Sequence, residues 1–105
     1  MMIRTALWIG KAKLGQEGRL KAMLDEELIP AMRKFPGVAN IKLMWARDFE
    51  DSPPEVFCQV LIEYASPEGM RQMLACSDRA ALRPQVLEAL GMFDGSVSHI
   101  NYEVS

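Results

Sequence analysis

The stretch VANIKLMWARDFEDSPPEVFCQVLIEY, residues 38–64, decides the fold. From Val38 to Arg47 the chain alternates. Ala39, Ile41, Leu43 and Trp45 fall on one face, and Asn40, Lys42, Met44 and Ala46 on the other, which is the period of a strand with one apolar face. Val56 to Tyr64 alternates again, with Val56, Cys58, Val60, Ile62 and Tyr64 set against Phe57, Gln59, Leu61 and Glu63. Only Asp48 to Glu55 lies between the two strands, an acidic loop marked by Pro53 and Pro54. A parallel crossover needs about a dozen residues or more, so these strands pair antiparallel.

Working outward, Gln16 to Phe35 places Leu20, Met23, Leu24, Leu28, Ala31, Met32 and Phe35 at the spacing of an amphipathic helix. Pro30 lies inside that pattern and must kink the helix or split it after Leu28 or Ile29. Pro36-Gly37 stops it. Downstream, Ser66-Pro67-Glu68 reads as a helix start, with Ser at the N-cap and Pro at the first helical position. Met70, Met73 and Leu74 form its stripe. A break at Cys76-Ser77-Asp78, capped by Ser77 or Asp78, leads into a second segment with Leu82, Val86, Leu87 and Leu90. Met2 to Ile9 and Gly95 to Val104 read as strands at either end. The order strand, helix, strand, strand, helix, strand is the ferredoxin-like βαββαβ plan. It implies an α+β domain whose four-stranded antiparallel sheet carries both helices on one face.

Composition agrees with one domain over residues 1–105, since half of the residues are hydrophobic and a quarter charged. A net charge of −2 gives no basic footprint for nucleic acid. No run approaches the ~20 apolar residues of a membrane span, and the N-terminus lacks the pattern of a signal peptide. Cys58 and Cys76 form neither a disulfide framework nor part of a metal-ligand cluster. Two reduced, buried thiols and a cytoplasmic protein are expected.

Alternation divides the strands into two faces. Ile3, Leu7 and Ile9, with Ile41, Leu43 and Trp45, Val60, Ile62 and Tyr64, and Ile100, Tyr102 and Val104, are expected under the helices. The opposite face then carries Arg4, Trp8, Met44, Phe57, Gln59, Leu61, Glu63, Val97 and His99. Its apolar members make a patch that a second copy of the chain would cover. On this reading Arg4 pairs with Glu63 and Glu103 at one end, and Trp8 lies near Phe57, Gln59 and His99 at the other. His99 is the only side chain whose ordinary pKa suits proton transfer near neutrality, and it is the candidate catalytic residue. Trp8, Trp45, Gln59 and Tyr64 are the candidate ligand contacts.

Three stretches carry a family resemblance. Leu28-Ile29-Pro30-Ala31-Met32-Arg33-Lys34-Phe35-Pro36-Gly37-Val38 resembles the first-helix motif of the EthD-like family, within the dimeric α/β-barrel superfamily. Tyr64-Ala65-Ser66-Pro67-Glu68-Gly69-Met70 is similar to its third strand running into the next helix. Leu74 to Arg79 and Phe93 to Val97 are similar to its closing segment. The resemblance implies a homodimer whose two sheets form a barrel. It also implies a hydrophobic or aromatic ligand held without a tightly bound cofactor. Many members carry a His two residues before the helix proline, where this chain has Leu28. Two functions follow: a small cofactor-independent oxidoreductase, monooxygenase or isomerase acting on such a metabolite, or a non-catalytic dimeric binding or accessory protein.

Overall fold

Four strands form a single antiparallel sheet in the order β2-β3-β1-β4 in the computed structural model, which describes residues 1–105. The chain runs through β1 (Met2–Ala12), α1 (Glu17–Met23), a π-helical turn (Leu24–Leu28) and α2 (Ile29–Arg33). It continues through β2 (Asn40–Trp45), β3 (Val56–Tyr64), α3 (Pro67–Ala75), α4 (Ser77–Gly91) and β4 (Phe93–Glu103). This is the expected ferredoxin-like plan. The shortest principal axis is 18 Å, the thickness of a sheet with helices on one side only.

Pro30 shapes the first helical run. It has no N–H, and its ring crowds the carbonyl four residues back. The chain absorbs this one turn earlier, where the Ile29 N–H reaches the Leu24 carbonyl across a π-helical turn. The run continues without breaking, and its inward stripe of Leu20, Met23, Leu24, Leu28 and Ile29 is buried. Burial of each such side chain contributes about 1.5–3 kcal/mol. Ser66 caps α3 as expected, its Oγ accepting from the Gly69 N–H at 3.2 Å. At α4 the cap is Cys76 rather than Ser77 or Asp78, with Sγ accepting from the Arg79 N–H at 3.4 Å. Thiols are poor acceptors, so sequence preference alone points to the neighbouring hydroxyl and carboxylate. Within α4, Ala89 is buried and Leu87 is half exposed, so the stripe passes Leu82, Val86 and Leu90 but not Leu87.

Strand register overturns part of the expected face assignment. Arg4 lies opposite Ile62 and Asn101, Ala6 opposite Val60 and His99, and Trp8 opposite Cys58 and Val97. Directly opposed residues point to the same side of the sheet. Val60, Ile62 and Cys58 are buried beneath the helices, as expected of β3. Arg4, Ala6 and Trp8 therefore face the helices too, and Ile3, Leu7 and Ile9 face away. Trp8 is only 5% exposed and packs in one cluster with Leu20, Met23, Leu24 and Leu28. β4 is reversed in the same way: Val97, His99 and Asn101 lie on the helix side, while Ile100, Tyr102 and Val104 are exposed. Both faces of β1 are apolar enough to be buried, so alternation identifies two faces without ranking them. Pairing with β3 decides the matter.

A register shift adds one more correction. Trp8 opposes Cys58 but Ile9 opposes Val56, so Phe57 is the extra residue of a β-bulge. Its ring is turned in among the core aromatics, 5.6 Å from Trp45 and 5.6 Å from Phe93. Phe57 is thus not part of the outer patch.

Candidate functional site

Three layers of side chain leave a gap between the helices and the sheet. Ala6 is the small residue between Arg4 and Trp8 in the inward row of β1, and His99 is its partner on β4. Above this row pass the π-helical turn and α4. The result is a cavity of about 360 Å³ lined by 18 residues, 14 of them hydrophobic. That volume falls within the roughly 300–1,000 Å³ of small-molecule sites. Trp8, Leu24, Leu28, Leu82, Val86 and Val97 form much of its apolar wall.

The four remaining lining residues are Arg4, Arg79, Arg83 and His99. Arg79 and Arg83 are four residues apart on α4 and so share one helix face. Arg4 Nη1 donates to Asn101 Oδ1 at 3.1 Å, and Arg79 Nη1 donates to the Leu74 carbonyl at 3.3 Å. None of the three guanidinium groups meets a carboxylate; the ion pairs lie elsewhere, between Arg19 and Glu88, Lys21 and Glu17, and Arg71 and Glu68.

β4 is an edge strand that the helices leave largely uncovered, so His99 stands exposed at the mouth of the cavity. Partial burial, with the charges of Arg4 and Arg79, holds its imidazolium below the ordinary value of 6.5. At neutral pH the ring is therefore free base. Burial pushes the Tyr64 hydroxyl up to about 12, against the pull of Arg4 and Arg79. That hydroxyl is buried with no hydrogen-bond partner.

Of the residues singled out from sequence, His99 and Trp8 come together in this cavity. Trp45 does not; it lines a second cleft of about 390 Å³, where Lys21 Nζ sits 5.4 Å from its ring centroid. That cleft mixes Lys11, Lys13 and Lys21 with Glu17 and Glu55 and holds no imidazole. Gln59 lies opposite Leu7 and Met44 on the face away from the helices. Tyr64 is wholly buried in the core and does not line the cavity. The expected pairing of Arg4 with Glu63 and Glu103 is absent, since Glu63 opposes Ile3 and Asn40 on the outer face, and Glu103 opposes Met2. Leu28, at the position where the resembled family often has His, is buried in the cavity wall. The arginine set went unrecognised because its members are distant in sequence. The one local signal was the four-residue interval from Arg79 to Arg83, beside Leu82 and Val86.

No protein-family model and no curated protein matches the chain. Solved structures do. An EthD family protein from Bacillus halodurans superposes with a TM-score of 0.72 at 13% identity, covering 100% of both chains. A dimeric ferredoxin-like protein from a Jannaschia species gives 0.64 at 16% identity, covering 99% of this chain and 100% of that one. SnoaB, a cofactor-independent oxygenase from Streptomyces nogalater, gives 0.66 at 10% identity, covering 98% of this chain and 90% of that one. The chain thus has the ferredoxin-like fold of EthD family and dimeric ferredoxin-like proteins, a likeness of fold and not of sequence.

Proposed function

We propose that the chain is a homodimeric protein that binds a hydrophobic or aromatic metabolite between helices and sheet, with His99 as the group that moves a proton. The observation carrying this reading is the apolar cavity with a lone imidazole at its mouth. A free-base imidazole accepts a proton from a weakly acidic C–H or phenolic O–H brought within hydrogen-bond reach. The resulting carbanion or phenolate is the reactive species that a cofactor-independent oxygenase or isomerase requires. The fold shared with SnoaB supports that class of chemistry. Exposed Met44, Ile100 and Tyr102 on the bare face of the sheet support the dimer, as the fold shared with a dimeric ferredoxin-like protein does. Both cysteines are free, Cys58 buried as expected and Cys76, at the start of α4, only partly so; unpaired thiols suit a reducing compartment such as the cytoplasm. No helix is long and apolar enough to cross a membrane.

A second reading, a non-catalytic binding or accessory protein, is favoured by Leu28, which puts an inert side chain in the cavity wall where the resembled family often has His. Native mass spectrometry of gently purified protein, followed by turnover assays on the retained molecule, tests between them. A dimer with a bound apolar molecule that the protein converts, and that His99→Ala binds but does not convert, supports the enzyme. Binding without conversion by either protein leaves the accessory role. A monomer with nothing bound contradicts both.

A further inference from the structure

The cavity is apolar along most of its wall, and every lining residue that is not hydrophobic is basic. On a chain whose net charge is −2, this concentration of positive charge runs against the average. Arg4 enters from β1, Arg79 and Arg83 from α4, and His99 from β4. The α1–α2 side and β3 contribute Leu24, Leu28, Ile29, Val60 and Ile62, none of them charged. No acidic side chain lines the space, and no guanidinium there is committed to a carboxylate. Arg4 is half-buried with a single hydrogen bond, to a neutral amide, which leaves most of its five donors unused. In a low-dielectric pocket such donors strongly favour an anion and reject its neutral isostere.

We infer that the ligand of the proposed site is an amphipathic anion, its carboxylate or ionised phenol held by Arg4 and Arg79 and its apolar body against Trp8 and Leu28. This rests on the cavity being the binding site and narrows it to one ligand class. The arrangement also accounts for the free-base state of His99. Burial of the imidazole, and then the charges of Arg4 and Arg79, disfavour its protonation in the unliganded cavity. Arg83, one turn beyond Arg79 and also lining the cavity, adds to the positive field that attracts the anion.

The test is calorimetric titration of the full chain with two matched pairs, 2-naphthoate against 2-naphthamide and decanoate against decanol, with inorganic phosphate alone as a fifth probe. Each carboxylate is expected to bind about tenfold or more tighter than its neutral partner, the scale of a charge-assisted hydrogen bond. Phosphate, lacking the apolar body, is expected to bind more weakly than either carboxylate. The preference should shrink to about threefold or less in Arg4→Gln. Arg79→Gln, at a solvent-accessible position of the cavity lining, should narrow it too and provides the same readout if the β1 variant does not fold. Equal binding of the charged and neutral partners overturns the anion assignment while leaving the cavity as a binding site. A preference unchanged in both variants also overturns it, because the selecting charge then lies elsewhere. Phosphate binding as tightly as naphthoate overturns the amphipathic part. If no member of either pair binds, the cavity is not the site, and both readings fall together.

Discussion

The two faces of the sheet are built from the same four strands and have similar apolar content, yet they end in opposite surroundings. The covered face has Trp8, Cys58, Val60, Ile62 and Tyr64 buried beneath the helices, with Arg4 and His99 lining the cavity between the layers. The bare face has Leu7, Leu61, Met44, Ile100 and Tyr102, the last three exposed. The covered face is where fold and cavity are made. The bare face is the one proposed above for assembly, since a cluster of exposed apolar side chains on a sheet is the usual mark of an interface. For β1 and β4, hydrophobicity therefore does not say which side is inside; strand pairing does.

The sharpest way to break this comparison is to put a charge on the bare face. Leu61→Asp is expected to weaken self-association by about 100-fold or more, because it would bury an unpaired carboxylate at the interface. Light scattering across a dilution series checks it, with far-UV circular dichroism unchanged. A dimer that persists would place the interface elsewhere. On the covered face, Leu20→Ala should cost about 2–5 kcal/mol of unfolding free energy in urea, since Leu20 is fully buried in the helix–sheet cluster. The same truncation at exposed Ile100, measured on the Leu61→Asp background, should cost within about 0.5 kcal/mol.

An effect smaller than that of Leu20→Ala is expected where the two long strands β1 and β4 pair through glycines. Gly10 has φ +132° and sits opposite Gly95, and a Cβ there would strike the Asp94 carbonyl oxygen. Gly10→Ala is expected to destabilise by about 1–3 kcal/mol in the same urea assay. The smallest effect concerns pH. His99 titrates below its ordinary 6.5 in the folded chain, so the unfolded chain binds the extra proton first as pH falls. Its contribution to stability is complete above the unfolded value near 6.5 and is lost as pH drops through that value toward the lower folded one. His99→Gln should flatten that part of the stability profile and leave the alkaline side unchanged. An unaltered acid-side slope would mean that neither burial nor the charges of Arg4 and Arg79 hold the imidazolium down.

Element order and the helix start at Ser66-Pro67 were legible in sequence because they depend on local signals, period and turn residues, and the strand neighbours followed from the ferredoxin-like plan that the order implies. β2 and β3 were also assigned to the correct faces, for each has one side plainly more apolar than the other. β1 and β4 were not. Ile3, Leu7 and Ile9 look more like core than Arg4, Ala6 and Trp8 do. Ile100 and Tyr102 look more like core than His99 and Asn101 do. What reversed both strands was pairing: one residue of register flips every side chain to the other face. The site inherited the error. His99 and Trp8 were rightly grouped, but on the wrong side of the sheet and with Gln59. The arginines from β1 and α4 could be recognised as one set only once the fold had brought them together.

The central claim is that ligand binding and self-association use opposite faces of one sheet. The most direct test is an NMR titration of isotopically labelled protein with 2-naphthoate, following side-chain and backbone signals on both faces. The account predicts that shifts concentrate at Trp8, Leu28, Val97 and His99, while Leu61, Ile100 and Tyr102 stay in place. Shifts centred on Leu61, Ile100 and Tyr102, with Trp8 and His99 unmoved, would contradict it.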